Sequence, residues 1–114
     1  RLDPMTGRLD RARASQQEIA GEDLFFGKAR CVTCHQPPAY TDHMLHDLFL
    51  ERFGAEADGP IKSFALRGIK DSPPYLHDGR LLTLEDTVEF FNLVAGLQLN
   101  GDEKSALVAF MRAL

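Results

Sequence analysis

The stretch ARCVTCHQPP, residues 29–38, holds both cysteines of the chain, and a histidine directly follows the second. Cys31-Val32-Thr33-Cys34-His35 is the pattern C-x-x-C-H, which reads as a site for covalent attachment of a c-type haem. The spacing has a geometric reason. Residues three apart on a helical turn share a face, so both thiols reach the two vinyl groups at one porphyrin edge and form thioethers. His35, next along, presents its imidazole to the iron as the proximal ligand. The expected cofactor is therefore one covalent haem c.

Three other readings use the same residues. A redox dithiol shares C-x-x-C, but it usually opens a helix after a strand in a βαβ setting, and no such pattern precedes Cys31. A disulfide between i and i+3 closes almost no loop and would add little stability. Zinc is the more serious rival: Cys31, Cys34, His43 and His46 form C-x-x-C, eight residues, then H-x-x-H, a gap shorter than the usual finger spacing.

Outward from the cluster, 114 residues with 44% hydrophobic content suit one domain with a modest core. The first fourteen residues carry four Arg against two Asp, so residues 15–114 have a net charge of −6 within the overall −4. An acidic body argues against nucleic acid, whose phosphates call for clustered Lys and Arg. No run approaches the roughly 18 to 20 apolar residues that span a bilayer, so no membrane span is expected in this chain.

Residues 1–14 show no period and are read as a linker or arm. Residues 15–114 are read as the haem domain. Ser15 with Glu18 has capping-box spacing, and Ile19 and Phe26, widened by Ala20 and Leu24, predict an apolar helical face up to Lys28. Thr83 with Asp86, followed by Leu84, Val88, Phe91 and Ala95, predicts a helix over 84–95 ending at Gly96. Asp102 is the expected cap of a last helix whose Leu107, Phe110, Met111 and Leu114 fall at i, i+3, i+4 and i+7. No segment of four to eight residues alternates like a strand. The expected class is all-α, few helices with long loops; three helices make a thin core, and a large apolar cofactor would fill it.

Across residues 18–114, GEDLFFGKARCVTCH, YTDHMLHDLFL, FALRGI, PPYLHDGRLLTLEDTVEFFN and LVAFMRAL resemble the C-terminal domain of the bacterial di-haem cytochrome c peroxidase and MauG group. The resemblance implies a cytochrome c fold in which the first and last helices cross and the loop from 61 to 82 covers the haem. It implies electron transfer to a second haem in an upstream domain, or to a redox protein partner. It leaves open a peroxidase-like oxidoreductase with a five-coordinate, ligand-accepting haem. Where the family places a Met or Tyr as sixth iron ligand, this chain has Phe91, which cannot ligate iron. His77 is then the nearest possible distal ligand, although in the family this His more often stands near the haem edge.

Arg67 and Arg80 flank the covering loop and could pair with the anionic haem propionates. Met44 is read as core packing, and His43 and His46 as surface or structural groups. Covalent haem attachment in bacteria happens outside the cytoplasm, so the c-type reading places the mature chain in the periplasm or at an outer surface.

Overall fold

The computed structural model describes residues 2–46, 61–62, 65–71, 73, 75 and 83–114. Its regular structure is helical: α1 (Gln16–Phe26), α2 (Leu84–Val94) and α3 (Gly101–Ala113), with one short antiparallel ladder pairing β1 (Leu45–His46) with β2 (Ile61–Lys62). The all-α class expected from the sequence holds.

Each helix starts where a side chain satisfies its orphan amides. The Ser15 hydroxyl accepts from Glu18 N, while the Glu18 carboxylate accepts from Ser15 N, closing the reciprocal box. Thr83 Oγ1 accepts from Asp86 N at 3.0 Å to start α2. The last helix departs from expectation: Asn100, not Asp102, is its cap, and it forms a full box with Glu103. Asp102 instead lies in the first turn, where its charge faces the positive end of the helix dipole.

The buried face of α1 also differs from the expected one. Gly21, Glu22 and Phe25 are buried, whereas Ile19, Leu24 and Phe26 are only partly covered and Ala20 is exposed. The cause is the crossing with α3. A Cβ on Gly21 would stand 2.0 Å from the Ala106 carbonyl oxygen and 2.7 Å from Phe110 Cβ, so only glycine permits this approach. Below the crossing, Phe25, Tyr40 and Phe110 form an aromatic triangle with centroid separations of 5.3, 5.6 and 6.2 Å. All three are essentially inaccessible to solvent. Leu107, Phe110 and Met111 of α3 and its C-cap Leu114 are buried together, as their spacing predicted.

Ion pairs brace the exposed sides of these contacts. Lys28 reaches Glu103 between α1 and α3, while Lys104–Glu89 and Arg112–Glu85 join α3 to α2. The segment 65–71 is pinned to the end of α3 by Gly68 N donating to Leu114 O at 3.0 Å.

Residues 2–14 form no helix but pack closely on α1. Leu2 and Leu9 make an isolated antiparallel bridge, and Leu9 is buried in the main core. Glu22, 1% exposed, accepts from Leu9 N at 2.7 Å, from Arg8 Nε at 3.3 Å, and from Arg11 Nε and Nη2 at 3.0 and 2.7 Å. Burial alone would raise the Glu22 pKa. The Leu9 amide and the two guanidinium groups outweigh it and hold the carboxyl below its ordinary value.

Candidate haem-binding site

The cysteine cluster begins where α1 ends. Gly27 closes the helix, Arg30 takes a left-handed conformation at φ 55°, and Cys31–Thr33 form a 3-10 turn continued by His35 N donating to Cys31 O at 3.0 Å. One tight turn therefore carries Cys31, Cys34 and His35.

That turn forms one wall of a cavity of about 420 Å³. Cys31, Cys34 and His35 line it, Phe25 and Ala29 continue the α1 side, Val88 and Phe91 come from α2, and Leu107 and Met111 come from α3. The size and the largely apolar lining, with a few polar groups among which are His46 of β1 and Thr87 of α2, fit a cofactor pocket. The residues present therefore fit a covalently held porphyrin.

The imidazole of His35 is oriented by the chain itself. Its Nδ1 lies 2.8 Å from the Tyr40 carbonyl oxygen, and because a carbonyl only accepts, Nδ1 carries the proton. Nε2 is then the nitrogen suited to a metal, the arrangement commonly seen behind ligating histidines.

The thiols are held protonated. Burial pushes Cys31 up to about 12. Cys34 is also raised, first by burial and then by the nearby Asp42 charge. A catalytic or redox thiol needs a depressed pKa, so these environments run against the dithiol reading. The zinc reading fares no better as a set of four. Among the described residues the ligand atoms that come together, within 4.8 Å of one another, are those of Cys34, Asp42 and His46. His43 is exposed with φ 59°, and His46 Nε2 donates to Asp42 Oδ2 at 2.8 Å.

Of the remaining candidates, Phe91 stands in the cavity wall and meets Phe90 edge to face at 5.4 Å. Arg67 does not line the cavity; its Nη1 donates to the Pro38 carbonyl at 3.2 Å. His77 and Arg80 lie outside the described residues. Met44, expected in the core, is instead 60% exposed, one residue before β1. Tyr40, whose backbone carbonyl meets His35, carries no motif of its own in the sequence; Met111, marked as buried by its helical spacing, proves to be a wall residue as well.

Fold and site together define a helical, cytochrome c-like domain with a C-x-x-C-H turn facing an apolar cavity. No protein-family model matches the chain. Its relatives are the cytochrome-c peroxidases and MauG proteins, the group its motifs resemble. It is 30% identical to a cytochrome-c peroxidase of Denitromonas iodatirespirans, over 92% of this chain and 41% of that protein. It is 33% identical to the cytochrome c551 peroxidase of Nitrosomonas europaea, over 92% of this chain and 36% of that protein. It is 29% identical to the methylamine utilization protein MauG of Methylorubrum extorquens, over 90% of this chain and 32% of that protein. Among solved structures, a MauG-like protein associated with microbial copper homeostasis superposes with a TM-score of 0.73 at 22% identity, covering 92% of this chain and 48% of that one. The chain thus spans about a third to two-fifths of the length of the curated relatives it matches. No described helix is long and apolar enough to cross a membrane.

Proposed function

We propose that this chain is an electron-transfer domain carrying one c-type haem on Cys31 and Cys34, with His35 as the proximal iron ligand. The observation that carries the proposal is the placement of these three residues on one turn facing an apolar cavity, with His35 Nδ1 committed to Tyr40. When bound, the haem supplies reversible one-electron chemistry whose potential is set by axial ligation, hydrogen bonding and burial. The chain's own residues do the rest. Phe25, Val88, Leu107 and Met111 keep water from the cavity, and the Tyr40 carbonyl fixes the imidazole plane.

The partner is a redox protein or an upstream domain of the same polypeptide, in line with relatives more than twice this chain's length. The mature chain works in the periplasm or at an outer surface. Arg80 is proposed to face the propionate edge, and His77 to stand near the haem, with iron ligation as its lesser role; Arg67, engaged with the Pro38 carbonyl outside the cavity lining, is not given the propionate role. A second reading rests on Phe91 in the cavity wall: a five-coordinate haem, open to peroxide or another small ligand. Spectra of the haem-loaded chain during a redox titration separate the two. A reversible low-spin spectrum supports electron transfer. A high-spin spectrum that shifts on adding a small ligand supports the second reading.

A further inference from the structure

We infer that the N-terminal arm, through Gly7 to Arg11, is a positioning device for the iron-binding imidazole. The inference rests on the proposed role of His35. Tyr40 links the two, because its two oxygens serve different masters. The backbone carbonyl accepts from His35 Nδ1 at 2.8 Å, and the phenol donates to the Gly7 carbonyl at 2.6 Å.

Tyr40 holds φ 62°, a left-handed conformation that a residue with a Cβ rarely adopts and that persists only where the surroundings impose it. The direction of its carbonyl, and hence of His35, therefore depends on what anchors its ring. Phe25, Phe26 and Phe110 pack around the ring, but only Gly7 receives its hydroxyl.

Gly7 is itself locked. It sits at φ 71° against the Pro37-Pro38 step, where a Cβ would approach Pro38 Cα to 2.6 Å. The next residues fasten it to α1: Leu9 N, Arg8 and Arg11 converge on the buried Glu22, and the Arg8 guanidinium stacks 4.0 Å above Phe26. Arg67, donating to the Pro38 carbonyl, braces the same loop. The route from Glu22 to the arm, to Tyr40 and to His35 is continuous in hydrogen bonds and packing. Glu22, Gly7 and Tyr40 are thus positioning residues that act on the haem potential without touching the cavity's reactive face.

The test uses the haem-loaded chain with Tyr40→Phe, which keeps the ring and the backbone carbonyl, and with Glu22→Gln, which keeps the side-chain volume at the far end. Two quantities are read: amide hydrogen exchange at Gly7–Leu9, and the midpoint potential together with exchange of the His35 Nδ1 proton. Both variants should retain wild-type haem content, exchange the arm amides and the His35 proton at least about tenfold faster, and shift the potential in one common direction. Faster arm exchange with unchanged His35 exchange and potential, in either variant, overturns the inference, as does an arm that neither substitution loosens. Failure of the haem assignment is separate, since it shows as an unsubstituted chain without covalent haem.

Discussion

At the scale of single residues, Glu22 has the most consequence outside the haem turn. Its pKa is depressed in the fold, so its contribution is present above the ordinary carboxylate value of 4.5 and is lost as pH falls through the lower folded value. Acidification below about pH 4.5 should therefore weaken the fold, and Glu22→Gln should flatten that part of the stability–pH curve measured by urea unfolding. At pH 7, Glu22→Ala should cost about 2 kcal/mol by stripping four donors on three residues of their acceptor. A curve parallel to wild type through the acid range would refute this role. None of this was legible in the sequence, because a glutamate among apolar neighbours reads as a solvated position, and its partners stand 11 to 14 residues upstream. Cys31, Cys34 and His35 were legible because their chemistry needs contiguous residues. Tyr40 was not, since its part is played by a carbonyl that every residue has.

At the scale of elements, the helix ends follow local rules and the helix faces follow tertiary ones. Asn100→Ala should cost about 1 kcal/mol in thermal or urea unfolding, and Asp102→Ala only a few tenths. Equal losses at both would return the cap to Asp102. Gly21→Ala should cost on the order of 3 kcal/mol, because the added methyl meets the α3 backbone rather than a yielding side chain. Wild-type stability in that variant would mean that the α1–α3 crossing is looser than described. The capping boxes could be read from four-residue windows, and the face of α3 from its unbroken period. The face of α1 could not, since a glycine and a buried glutamate occupy the positions where apolar residues would have marked it.

At the scale of the molecule, the three described helices all line one cavity, and under the proposed function the apolar volume that completes the core is the haem's. Binding that favours only the folded state stabilises it, so the haem-loaded chain should unfold at higher temperature than the chain without haem. Equal unfolding temperatures would mean that the cavity is not where the haem resides. The all-α class was legible from composition and period; the enclosure was not, because it depends on how the arm, the haem turn and α3 meet. The most direct test of the account is the intact mass and visible spectrum of the denatured chain produced with haem-attachment machinery. The account predicts a mass one haem above the polypeptide and a Soret band that survives acid–organic extraction, both lost when Cys31 and Cys34 are replaced by alanine. A colourless chain with the mass of the polypeptide alone would contradict it.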